Sequence, residues 1–88
     1  MKIVSFYDVA PDALPKLMAH FPAHRARLED FHARGLLVAA GPLGNPPTSA
    51  MGIFVSREAA EEFIQGDPFV TNGLVSQWRL LEWNALFL

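Results

Sequence analysis

The chain has 88 residues, 51% of them hydrophobic, with 7 basic against 9 acidic side chains, a net charge of −2 and no cysteine. That length supports one domain over residues 1–88, and the missing cysteine excludes disulfides, thiolate metal sites and a cysteine nucleophile. The basic residues are scattered, which argues against nucleic acid, and neither a signal-peptide run nor the ~20 apolar residues of a membrane span occurs, so a cytoplasmic chain without membrane contact is expected.

Residues 2–8, with Ile3, Val4, Phe6 and Tyr7, read as a first strand that Ala10, Pro11 and Asp12 end. Asp12 is placed to cap a helix whose first turn accepts Pro15, and Leu14, Leu17 and Met18 show helical spacing. A proline inside a helix removes one backbone hydrogen bond, so Pro22 predicts a kink or two helical pieces. The second piece, 22–34, opens on that proline, carries Leu28 and Phe31 on one face and stops at Gly35. His24 precedes Leu28 by four residues and Phe31 by seven, so it is expected to point toward the sheet.

Residues 36–43 are a nearly continuous apolar run of the kind found at a sheet centre. A loop over 44–49 leads into a strand over 50–55, whose Gly52 leaves room for close approach of another group. Ser56 then opens a helix with a charged first turn and an apolar edge at Phe63 and Ile64, which Gly66 can end. Pro68 disfavours helical backbone at Asp67, which puts that carboxylate on an extended elbow just past the helix. One further turn ends at Gly73, and residues 74–88 read as a long strand with apolar residues on both alternating sets. The order strand, helix, strand, strand, helix, strand predicts an α+β, ferredoxin-like fold, a split β-α-β with an antiparallel four-stranded sheet. So small an interior cannot hold all these apolar side chains, which predicts a homodimer and leaves higher oligomers open.

The residues able to carry chemistry are few. An Asp bonded to one imidazole nitrogen fixes the tautomer and makes the other a general base or acid, so His24 with Asp67 is the first candidate. No serine stands in a nucleophile-elbow pattern, which favours proton transfer over a hydrolase triad. The plain alternative is a buried histidine satisfied by an aspartate that caps a turn. His20 and His24 are spaced as two helix ligands, but Pro22 lies between them and no HExxH pattern occurs, so no metal is expected. Phosphate-binding glycine patterns are missing too, and no cofactor is expected. The aromatics are core and interface residues first, and some can line a pocket for a flat apolar ligand.

Several segments, in this order, carry a resemblance. They are Pro22-Ala23-His24-Arg25-Ala26-Arg27-Leu28, Gly35 to Leu43, Ser56 to Phe63, Asp67-Pro68-Phe69 and Asn72-Gly73-Leu74-Val75. With them the chain resembles the YCII (YciI-like) family. The resemblance implies a dimeric α/β barrel, in which ferredoxin-like sheets pair across a two-fold axis. It also implies an active site whose His and Asp fall on His24 and Asp67. Related barrels of the muconolactone isomerase type move protons on ring compounds, which implies lyase or isomerase chemistry. Two departures stand out: the 44–49 loop is short beside many relatives, and Phe21 stands where a basic residue often precedes the Pro-Ala-His segment. Arg25 is the replacement candidate for that positive contact.

The resulting expectation is a cofactor-free enzyme. His24 and Asp67 move a proton, and Phe6, Arg25, Phe69 and Trp78 hold a small cyclic or carbonyl metabolite. The alternatives are a non-catalytic ligand-binding or accessory protein using the same pocket, and a purely structural pair.

Overall fold

Alternation along the first strand decides how the sheet is built. The computed structural model describes residues 1–88, with β1 (Lys2–Val9), α1 (Leu14–Ala33), β2 (Leu37–Leu43), β3 (Ser49–Phe54), α2 (Arg57–Gly66), α3 (Pro68–Thr71) and β4 (Val75–Trp83). The four strands are antiparallel neighbours in the order β2-β3-β1-β4, which is the ferredoxin-like arrangement. Directly opposed residues share a face. Ile3 faces Phe54 across β3, Ser5 faces Gly52, and Tyr7 faces Ala50. These residues form the face covered by helices, while Val4, Phe6 and their partners Ile53 and Met51 form the other.

On the covered side, Ile3, Leu37 and Phe54 from the sheet meet Phe31 of α1 with Ala60 and Phe63 of α2 in one buried cluster. The Phe31 and Phe63 rings meet edge to face at 5.1 Å. Burying each large apolar side chain contributes about 1.5–3 kcal/mol, so this cluster is the main attachment of both helices. Leu14, Leu17, Phe21, His24, Leu28 and Phe31 follow each other at alternating steps of three and four and lie on one stripe of α1. Only Phe31 of that helix is fully buried. No helix is long and apolar enough to cross a membrane.

Four local expectations are corrected. Helix α1 runs through Pro22 as one element, which overturns the two-piece alternative. Proline costs the helix its own N–H bond to the Met18 carbonyl, and Met18 is exposed, so water can take up that acceptor. Asp12 does not cap α1: it lies in a left-handed turn at φ 64°, and Ala13 takes the N-cap position. The apolar run at Leu37–Leu43 is an edge strand and not a central one. Its Ala39, Ala40 and Pro42 are exposed, and proline tolerates an edge because it need not donate there. The last strand stops at Trp83 rather than running to residue 88.

Candidate active site

The site begins with an aspartate that ends one helix and starts the next. Ser56 caps α2 by accepting from the Ala59 N–H at 3.1 Å, and α2 runs to Gly66. Asp67 follows in extended backbone (φ −68°, ψ 121°), because Pro68 disfavours the helical conformation there. It is the C-cap of α2 and the N-cap of α3, where its Oδ1 accepts from the Phe69 N–H at 3.1 Å. The backbone conformation aims the carboxylate back under α1, and Asp67 is 0% exposed.

Three donors meet that carboxylate. His24 Nδ1 lies 2.7 Å from Oδ1, the Phe69 N–H bonds the same oxygen, and the Tyr7 hydroxyl donates to Oδ2 at 2.8 Å. Burying a carboxylate is costly unless its lone pairs are used, and here no fully enclosed side-chain nitrogen or oxygen lacks a partner. Burial pushes the Tyr7 phenol far above its ordinary value of 10.0. The charge and hydrogen bond of Asp67 push it further, against a weaker opposite pull from Arg27. Tyr7 therefore stays protonated and remains a donor.

The imidazole is held by packing as well. Phe69 stacks on it with ring centroids 3.9 Å apart and planes 10° from parallel, and Phe63 meets it edge-on at 6.2 Å. Phe69 thus fixes the ring plane with its side chain and Asp67 with its backbone. The histidine side chain is 13% exposed. With Nδ1 committed to Asp67, the tautomer is set with the proton on Nδ1, and Nε2 has no partner in the protein.

Arg27, one turn beyond His24, ties the two helices together. Its Nε donates to the Phe63 carbonyl at 3.1 Å and its Nη2 to the Glu62 carbonyl at 2.8 Å. The guanidinium also covers the Phe31 and Phe63 rings at 5.0 and 5.5 Å. Gly66 is needed for this seat, since a Cβ there would lie 2.5 Å from Arg27 Nη2. His24 and the Asp67 elbow are held at their separation by a clamp that neither of them forms.

Beside His24 a cavity of about 390 Å³ opens between α1 and the covered face of the sheet, walled by Leu17, Phe21, Leu28, Phe63 and Phe69 with Ser5 on the sheet side. Among the residues expected at the site, the structure brings His24, Asp67 and Phe69 into direct contact and puts Arg25 at the cavity wall. Arg25 is exposed and paired with Glu29 at 3.2 Å. Phe6 and Trp78 do not line this cavity; they border a separate shallow depression with Asp8 and Arg79. The reason for Phe6 is parity, since it points to the opposite face from Ser5 and Tyr7, where Arg79 lies 5.0 Å over its ring. Trp78 is on the edge strand β4, beyond the reach of the α1 wall.

Sequence reasoning missed Tyr7, Arg27 and Ser5. Tyr7 had a usable signal: it shares its face with Ile3 and Ser5, and a tyrosine entering a core needs a partner for its hydroxyl. Arg27 and Ser5 carried none. His32, an exposed residue of α1, bonds the Leu37 carbonyl through Nδ1 at 2.9 Å and helps tie α1 to β2.

TftG, a 5-chloro-2-hydroxyhydroquinone dehydrochlorinase from Burkholderia phenoliruptrix AC1100 solved in complex with 2,5-dihydroxybenzoquinone, superposes with a TM-score of 0.79 at 22% identity, covering 96% of this chain and 94% of that one. SnoaB, a cofactor-independent oxygenase from Streptomyces nogalater, superposes with a TM-score of 0.57 at 12% identity, covering 98% and 94%. At these identities the likeness establishes the fold. Protein YciI of Escherichia coli O6:H1 is 36% identical over 84% of this chain and 87% of its own length. The YCII-related domain family matches residues 1–84, and the chain belongs to that family.

Proposed function

We propose that the protein is a small cofactor-free enzyme that moves a proton on a small cyclic or carbonyl metabolite, as a lyase or isomerase. The observation that carries this reading is the 2.7 Å contact between His24 Nδ1 and a fully buried carboxylate, which leaves Nε2 free beside a cavity. Nε2 removes a proton from a carbon next to a carbonyl, and the electron pair passes into the carbonyl oxygen. The pair then either expels a leaving group or takes the proton back at another carbon. Asp67 stabilises the imidazolium that forms in between, and Tyr7 holds Asp67 through its second oxygen. Phe21, Phe63 and Phe69 supply the aromatic wall, and Arg25 stands at its edge. TftG is named for a chloride elimination and carries a dihydroxybenzoquinone, and the likeness to it supports a ring substrate.

The active unit in this reading is a homodimer. Only 15 of the 88 residues are buried, and the uncovered face of the sheet carries Phe6, Met51, Ile53, Leu81 and Trp83 with no helix over it. A second copy covering that face would bury the surplus.

The test is solvent exchange. In deuterated water, the wild type should incorporate deuterium into at least one of a panel of small ring ketones, lactones and hydroxyquinones. His24→Gln should slow that exchange by ~10²–10⁴-fold, and Asp67→Asn should slow it too. Equal rates in wild type and His24→Gln would sink the enzyme reading. Ligand binding without exchange would leave a non-catalytic binding protein.

A further inference from the structure

The cavity contains one polar group that the dyad does not use. Ser5 is 6% exposed, lines the cavity and lies opposite Gly52 in the β1–β3 register. Its hydroxyl bonds no group of the protein, whereas every fully enclosed side-chain nitrogen and oxygen has a partner. The little surface it retains therefore opens to the cavity. Gly52 keeps that surface open, since a Cβ there would lie 3.0 Å from Ser5 Oγ and 3.2 Å from the Phe54 ring.

The remaining polar groups around the cavity are already engaged. The Tyr7 hydroxyl is spent on Asp67, and Arg25 is paired with Glu29. Apart from the exposed Arg25 guanidinium, two uncommitted side-chain polar groups are left in an otherwise apolar space, Ser5 Oγ and His24 Nε2. A hydroxyl stripped of water and left without a partner costs free energy, which a bound oxygen recovers. The volume of about 390 Å³ is near the lower end of the roughly 300–1,000 Å³ usual for ligand pockets, so one or two rings fit and a nucleotide does not. The one arginine on the cavity wall, Arg25, is exposed and shares its Nε with Glu29, so the interior beside Ser5 holds no cation of its own for an anionic ligand.

We infer that Ser5 is a specificity-determining residue, which hydrogen-bonds a hydroxyl or carbonyl oxygen on an uncharged planar ring held between α1 and the sheet. This rests on the reading of His24 as the reacting end of the same cavity. Ser5 selects the oxygen-bearing ring, and the apolar wall of Phe21, Leu28 and Phe69 holds its faces.

The experiment compares p-cresol with toluene, which differ by one hydroxyl, in NMR binding titrations of the intact protein. The wild type should prefer p-cresol. Ser5→Ala should reduce that preference by a few-fold to roughly tenfold while leaving toluene affinity within about twofold, and Ser5→Cys should fall between. A preference unchanged in Ser5→Ala, or no binding of either probe to the wild type, would overturn the inference. Repeating the titrations in His24→Gln separates the two readings. A preference that still depends on Ser5, together with no deuterium exchange in the wild type, removes the catalytic proposal and keeps this one. Exchange that persists with an unaltered preference in Ser5→Ala does the reverse.

Discussion

On its helix-covered face the sheet presents Ile3, Ser5 and Tyr7 from β1; on its uncovered face the same strand presents Val4 and Phe6, flanked by Ile53 of β3 and Leu81 of β4. An antiparallel sheet with one solvated face ordinarily places apolar residues inward and polar ones outward. Here two hydroxyls point inward, and the middle of the outward set (Val4, Phe6, Ile53 and Leu81) is apolar, with Lys2, Asp8 and Arg79 beside it. The inner face departs from the rule because it carries a carboxylate and an imidazole that need donors and room. The outer face departs from it because, in the reading above, its solvent is replaced by a second copy.

The contrast can be broken from either side. The largest effect is expected at the inner face, where Asp67→Asn keeps the shape but confronts three donors with an amide. Leaving one or more of them poorly matched should lower unfolding free energy by roughly 2–4 kcal/mol, measured by urea denaturation. A loss below about 0.5 kcal/mol would show that the carboxylate is not needed to hold the inner face together.

On the outer face, Leu81→Glu changes a side chain that is 50% exposed in the single chain and should leave the His24 NMR signals in place. It should weaken self-association by at least ~30-fold in sedimentation equilibrium, as for the central contact of an interface. A wild type that is monomeric at high concentration would remove the contact role from that face.

A smaller and more graded effect is expected at alkaline pH from Tyr7, the chain's single tyrosine. Its phenol is raised above 10.0 in the folded protein, chiefly by burial and then by Asp67. Its contribution is therefore fully present below about pH 10 and is lost as pH rises, because the unfolded chain releases a proton that the native one keeps. Wild-type stability should fall above that point with a slope of up to ~1.4 kcal/mol per pH unit, and Tyr7→Phe should lack this component. Tyrosinate absorbance should appear only with unfolding. Tyrosinate forming in the native protein would break the picture of a sealed inner face.

Much of the site was legible because it depends on local rules. Pro68 dictates the backbone of Asp67, and helical spacing puts His24 on the side of Leu28 and Phe31. Both follow from the nearest few residues. The aromatic partners were less legible. Phe69 sits two residues from Asp67 and meets His24, but Phe6 and Trp78 were expected in the same pocket and border another depression. Pairing a strand residue with a helix residue requires knowing which parity faces the helices, and β1 is apolar on both parities.

By itself the sequence determined the order of elements, the ferredoxin-like sheet, the elbow at Asp67 and the inward direction of His24. Each of these rests on periodicity or on the steric limits of proline and glycine, which act over a few bonds. Only the tertiary structure decided that β2 is an edge, that Pro22 passes within one continuous helix, and that Tyr7 completes the carboxylate's set of donors. The same holds for Arg27, which clamps the end of α2, and for Ser5, which faces the cavity. These depend on strand register and on which residues distant in sequence share one small space. No local preference encodes that arrangement, because it is the packing of the whole chain that selects it.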